Sequence, residues 1–211
     1  MAIQYLSGNR ATGTASDRAG LTVYSAKSWV ELGRTTLSST SDNIDVTGLD
    51  TSDYPFLMVL TYGIDGSQMG FRVNSDTGNN YHVRRSMDGA SDSTLQSTKA
   101  QVHAQGAKKE FNVSNWLNIA NKEKLFISHT VSQNTAGAGN APSRNEIVGK
   151  WANTSDQITT FTLHNAGSTG FSSGSEVVVL GAKSSGTITD KQGFWQELAD
   201  VSVSSGSTID T

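Results

Sequence analysis

Short runs in which apolar and polar residues alternate recur along this chain, each closed by a cluster of Gly, Ser, Asn or Asp. That period-two pattern predicts β-strands separated by turns. Leu21–Tyr24 opens a short strand. Trp29 to Leu37 is the first strong one: Val30, Leu32, and then Thr35 and Leu37, fit alternating faces after a kink at Gly33. Residues 43–47 form a second short strand. Phe56 to Ile64 is a continuous apolar run, as expected of a strand covered on both faces. Residues 69–73 and 81–86 are expected to pair as a hairpin through the turn 74–80, with 87–97 a polar loop. Lys99 to Gln105 is a strand with Ala100, Val102 and Ala104 on one face and Lys99, Gln101 and His103 on the other. Residues 114–123 are either one or two helical turns capped by Ser114 or Asn115, or an irregular crossover; the stretch is short for an amphipathic helix, which favours the crossover. Strands follow at 124–131, 145–151, 157–164 and 175–182, and 133–144 is a long small-residue loop of the kind that serves function or an interface. About ten strands and no convincing helix specify an all-β antiparallel sandwich, and the long connections favour jelly-roll or Greek-key linkage.

One pattern recurs. Trp29-Val30-Glu31-Leu32 is echoed by Trp195-Gln196-Glu197-Leu198, and Ile44-Asp45-Val46 by Ile209-Asp210-Thr211. Two such strands are too few to stand alone as a domain. They either begin a further repeat unit or complete a sheet, beside the first copy in the same sandwich or on an open edge of a neighbour. Pairing within the sandwich is the preferred reading. Residues 1–20 carry no period and read as an extended N-terminal arm. The expected organisation is an arm at 1–20, a jelly-roll β-sandwich at 21–193 and echoing strands at 194–211.

Composition narrows this picture. At 211 residues, length alone demands no second domain and is enough to bury a core without staples. No cysteine is present, which excludes disulfides and thiolate chemistry. The 16 basic and 19 acidic residues are spread along the chain, so no basic stripe suggests nucleic acid. The longest apolar run, Phe56 to Leu60, is far short of a membrane helix of ~20 residues. The start lacks a basic region and a long apolar stretch, so no signal peptide is expected; a protein working outside a cell would then leave by lysis.

Candidate chemistry is sparse. His82, His103, His129 and His164 occur singly, each in a predicted strand, without zinc-ligand spacing. The nucleophile elbow of Ser hydrolases is absent, and the Gly loops at 137–139 and 167–170 precede no helix that would cradle phosphate. Glu31, Glu146, Glu176 and Glu197 lie on strands, where paired carboxylates of a glycosidase would sit, but solvent-facing charges that keep strands soluble and in register are the preferred reading. The Asp76–Asn80 loop offers oxygen ligands without the acidic density of a calcium loop. With Asn80, Tyr81 and Arg84 it combines an aromatic face, an amide and a guanidinium, the groups that bind a sugar. A plain turn accounts for the same loop. The sequons at Asn112 and Asn153 carry no weight without a secretory route. No cofactor or metal is implied.

Four stretches taken together carry a resemblance: 29–37, 128–142, 148–156 and 174–182. They resemble a group of virion-associated structural proteins of marine tailed phages and related viral sequences, in which such units form lectin-like jelly-roll domains, sometimes in tandem. The resemblance implies a non-enzymatic capsid-decoration, head-associated or fibre protein. It would be made in the host cytoplasm, released by lysis and located in the virion, with other virion proteins and further copies of itself as partners. The alternative is a carbohydrate-binding module that recognises host surface glycan. Neither reading involves nucleic acid or a membrane.

Overall fold

A computed structural model describes residues 29–103, 108–133, 135–167 and 169–182. The expected arm, the short strand at 21–24 and the echo at 194–211 lie outside them. The described residues form twelve strands and no helix. These are β1 (Val30–Thr36), β2 (Asn43–Val46), β3 (Phe56–Gly66), β4 (Gly70–Val73), β5 (Tyr81–Met87) and β6 (Ser93–Ser97). Then come β7 (Ala100–Gln101), β8 (Lys108–Leu117), β9 (Lys124–Gln133), β10 (Ser143–Trp151), β11 (Phe161–His164) and β12 (Glu176–Ala182). All pairings are antiparallel. They build an eight-stranded sheet in the order β1-β12-β3-β8-β9-β10-β5-β6 and a four-stranded sheet in the order β2-β11-β4-β7. The two form a β-sandwich.

The core lies between the sheets. Trp116 of β8 stacks on Phe126 of β9 with ring centroids 4.4 Å apart, and meets Phe161 and Phe71 of the small sheet edge-on at 5.4 and 6.2 Å. Tyr81 and Trp151 stack as a second aromatic pair at 6.5 Å. The kink expected at Gly33 is a register shift in β1 between Glu31 and Gly33. A side chain there would stand 2.7 Å from Val46 and 2.8 Å from Leu49, so glycine lets β1 lie close over the β2 region.

Several expectations need correction. Residues 69–73 and 81–86 do not form a hairpin: β4 and β5 belong to different sheets, and the turn 74–80 carries the chain across the sandwich. The stretch 114–123 is neither helix nor crossover at its start, because β8 runs to Leu117 and pairs with both β3 and β9. The polar loop at 87–97 contains β6, an edge strand that binds β5 without burying a face. Of the strand expected at 99–105, the described part, 99–103, holds only β7, since Val102 and His103 both donate to Met69 O instead of continuing a ladder. Finally, β3 is not covered on both faces among the described residues: Phe56 and Tyr62 are half exposed.

Candidate functional site

The outward face of β3 sets up the site. Antiparallel register places outward residues of neighbouring strands in rows across the large sheet. One row runs Leu180, Met58, Asn115, Ile127, Val148 and Arg84. A parallel row at the far end runs Glu176, Tyr62, Phe111 and Val131. Along row one and on its side away from the second row, the face sinks into a groove of about 860 Å³. Trp29, Phe56, Leu117, Leu125, Ile127 and Val148 supply its apolar surface, while Asn115, His82, Arg84 and Lys150 supply polar groups.

Strand β9 explains why this face is apolar. Its burial alternates strictly, but apart from inward Phe126 and outward His129 and Gln133 the polarity is inverted. Leu125, Ile127 and Val131 point outward and are 53%, 54% and 41% exposed. Ser128, Thr130 and Ser132 point inward and are buried. The inward hydroxyls are satisfied by a network: Asn112 Nδ2 donates to Ser128 Oγ (2.6 Å) and Thr130 Oγ1 (2.8 Å), and Ser114 Oγ donates to Asn112 Oδ1 (2.8 Å). Thr130 Oγ1 donates in turn to Val102 O at 2.7 Å. Buried Lys124 turns its ammonium to Lys122 O (2.6 Å) and Asn153 O (3.3 Å). The hydroxyls of this network are thus paired inside, while the Asn145 amide and Thr61 Oγ1 on nearby strands have no partner among the described residues, and Leu125, Ile127 and Val131 are left outside.

Charges ring the apolar face in opposite pairs. Arg34 bridges Glu31 (2.9 Å) and Glu176 (2.7 Å) at one side. Lys150 meets Glu123 at 2.8 Å, Arg84 meets Asp92 at 3.6 Å and Arg144 meets Glu146 at 4.0 Å at the other. The carboxylates considered for glycoside chemistry, Glu31, Glu146 and Glu176, therefore each face a guanidinium; Glu197 lies outside the described residues.

The three residues expected to bind a sugar are not brought together. Tyr81 points inward and is fully buried; its hydroxyl accepts from Val73 N–H at 3.0 Å and donates to Asp76 O at 3.1 Å. Its ring presses on Trp151, and burial holds the phenol proton well above the usual range. Arg84 points outward, into the groove. Asn80 spends its amide on the Asp76 carboxylate at 2.9 and 3.1 Å. Asp76 also accepts from Trp151 Nε1 (2.7 Å) and Gly78 N–H (2.8 Å). Burial opposes its ionisation, but the Trp151, Asn80 and Gly78 donors outweigh it and hold its carboxyl below the usual range. The loop is a turn organised around an aspartate whose oxygens already have donors. Among the described residues no group of three or more His, Asp or Glu is arranged to hold a metal ion. The sequon Asn112 is sealed in the network above.

The histidines differ. His82 and His129 are exposed on the large sheet. His103, expected on a strand face, is fully buried beside Glu110, with Nδ1 2.9 Å from Glu110 Oε2, and Ser132 Oγ lies 3.4 Å from its Nε2. The order Ser–His–Glu is that of a hydrolase triad, but all three side chains are sealed from solvent. His164 lies on the outward side of the small sheet. Comparison with known proteins returns nothing: no family model, no curated protein and no solved structure matches the chain.

Lys99 makes a test of burial. It is 8% exposed, and burial followed by the nearby Arg72 charge pushes its pKa down to about 8. The unfolded chain holds that proton up to about pH 10.5, so between pH 8 and 10.5 the unfolded state binds more protons and stability rises with pH. Lys99→Met is expected to stabilise the protein by about 1–3 kcal/mol at pH 7, with the advantage fading as pH approaches 10.5. Urea titrations of both proteins at pH 7 and 10 check this; an equal gain at both values would refute the charge argument.

Proposed function

We propose that this chain is a non-enzymatic structural protein of a virion, a jelly-roll sandwich that assembles with further copies through the outer face of its large sheet. The strand orders support the jelly-roll reading. Within the sheets, the orders β1-β12-β3-β8 and β2-β11-β4-β7 are those expected of the two four-stranded halves of a jelly roll. Here β5–β6 and β9–β10 widen one half. The resemblance to phage virion proteins supports the placement in a particle.

The observation that carries the assembly reading is inside-out β9. A strand that buries Ser and Thr while exposing Leu125, Ile127 and Val131 gains from its apolar residues only when something covers them. Three points favour a second copy as the cover. The rim charges are already paired, so an identical face meets no repulsion. The groove lies at one end of the face and the aromatic pair Tyr62 and Phe111 at the other, so a two-fold seats each copy's aromatic end in the other's groove. Eight strands at ~4.8 Å spacing, ~20 Å long, present roughly 700 Å². That is near the ~800 Å² per partner of a standard interface. Host glycan recognition is the second reading, favoured by Asn115, His82, Arg84 and Lys150 beside Trp29 and Phe56 within the groove; its walls are otherwise aliphatic for the most part.

Ile127→Asp tests the reading. The side chain is half exposed, so the fold should tolerate it. Self-association should weaken by about a hundredfold, the scale of a central interface residue. Sedimentation velocity across concentration reads the change. A native chain that stays monomeric at high micromolar concentration, or an Ile127→Asp protein that associates equally well, would remove the assembly reading. Cryo-electron reconstruction of a particle carrying the chain tests the virion placement independently.

A further inference from the structure

The opposite face of the sandwich carries an unrelated feature, independent of the assembly reading. On the outward side of the small sheet, Arg72 of β4 stands across from Thr162, and Gly70 stands across from His164 of β11. Gly70 has no side chain, and Lys99 fills the space: a Cβ on Gly70 would lie 2.8 Å from Lys99 Cγ and 2.9 Å from its Cδ. Three cationic groups thus surround one glycine: Arg72 two residues along the strand, Lys99 above it, and His164 on the neighbouring strand. Two acidic groups lie nearby, and the Asp42 charge offsets part of the cations' effect on His164. Asp45, beyond Thr162, accepts from Thr162 Oγ1 at 2.5 Å, and Asp42 is exposed beyond Asn43.

Lys99 and Arg72 face no paired carboxylate among the described residues. Lys99 is more than nine-tenths buried and makes no ion pair there, and Arg72 Nε is sealed without a hydrogen-bond partner. A buried cation without a partner costs stability, and evolution usually replaces it with an apolar residue unless its charge is used. His164 Nδ1 is held by Asn43 Oδ1 at 2.8 Å, which leaves Nε2 for another group. Burial, then Arg72 and Lys99, hold His164 below the usual histidine range, as expected of mutually repelling cations.

The geometry points to an oxyanion-binding site formed by Lys99, Arg72 and His164 around Gly70, taking a tetrahedral anion of the phosphate or sulfate class. Arg72 supplies a fork, Lys99 a point charge and protonated His164 a third donor. Binding should therefore strengthen as pH falls through the titration of His164. An anion held here is either a free ion or the terminal group of an ester.

Imidazole NMR of the full-length chain tests this, with the His164 resonance assigned by His164→Gln. Inorganic phosphate, sulfate and methyl phosphate are titrated against sodium chloride of matched ionic strength. The expected result is a saturable upward shift of the His164 pKa with phosphate and sulfate, and none with chloride. Lys99→Met, which leaves a stem of similar length, should weaken binding about tenfold while the protein stays folded. Methyl phosphate binding as well as phosphate supports an ester group as the natural ligand; much weaker binding supports the free ion. The proposal is overturned if chloride reproduces the shift, if the shift does not saturate, or if Lys99→Met leaves it unchanged. Lys99→Met altering only the melting temperature would mark Lys99 as a packing residue and likewise overturn the site. None of these outcomes bears on self-association, which Ile127→Asp reads separately.

Discussion

Trp116→Ala is expected to lower the unfolding free energy by about 3–5 kcal/mol, enough to remove much of the stability of a domain of this size. Trp116 is 2% exposed and is the point where the sheets meet. It stacks on Phe126 within its own sheet and touches Phe161 and Phe71 of the other edge-on. Truncation removes the indole's transfer free energy and leaves a cavity bounded by three rings fixed on three strands, β9, β11 and β4. Ladders on both sides of each sheet prevent collapse into that space, so the cost should fall at the high end. Trp116→Phe should cost less than half as much, because a ring is retained. The indole Nε1 has no hydrogen-bond partner, so no polar interaction is lost with it. Ile119→Ala, at a 40% exposed position just past β8, serves as the control and should change stability by less than about 1 kcal/mol. Urea titrations monitored by far-ultraviolet circular dichroism measure all three. A cost near that of Ile119→Ala would mean that the aromatic cluster does not couple the sheets.

The parts of the fold legible in the sequence are those where one face is plainly apolar. The strands containing Ile44, Phe71, Val83 and Phe161 follow period-two patterns whose apolar members are the buried ones. Pairing partners were not legible. Nothing local to 69–86 says that β4 and β5 separate into different sheets, because a seven-residue polar turn suits a hairpin and a crossover equally. Strand β8 was obscured by its own chemistry: Ser114 and Asn115 read as helix caps, yet Ser114 is buried and bonded to Asn112 while Asn115 lies on the outer face. The groove was hidden by the same inversion. In 125–132 the aliphatic Leu125, Ile127 and Val131 alternate with a set holding Phe126, Ser128, Thr130 and Ser132, and either can be the inner one; the network from Asn112 makes it the second. The available signal was the density of hydroxyls at alternate positions in two neighbouring strands, each able to satisfy the other. The proposed sugar site failed for a related reason. Tyr81 and Arg84 are three apart on a strand, so they point to opposite faces.

Glu110→Ala is the second change expected to be severe, at about 3–5 kcal/mol, because it strands His103 in the interior. His103 and Glu110 are both sealed from solvent and lie 2.9 Å apart, with Ser132 Oγ 3.4 Å from the far side of the imidazole. Removing the carboxylate takes away the group facing Nδ1 and admits no water to replace it. The pair as a whole should contribute far less than either half. Desolvating both groups offsets most of their mutual attraction, so His103→Leu combined with Glu110→Met should restore stability to within about 1 kcal/mol of the native chain. The double-mutant cycle built from His103→Leu, Glu110→Met and their combination should then give a coupling of about 2 kcal/mol or more. If the single costs simply add, the two side chains do not act as a unit. The double variant carries a second reading. Sealed as it is, the Ser132–His103–Glu110 arrangement serves packing, so self-association through the outer face of β9 should persist without it. Loss of association in a double variant of native stability would instead connect the interior polar layer to the apolar face, through the alternate side chains of the one strand they share.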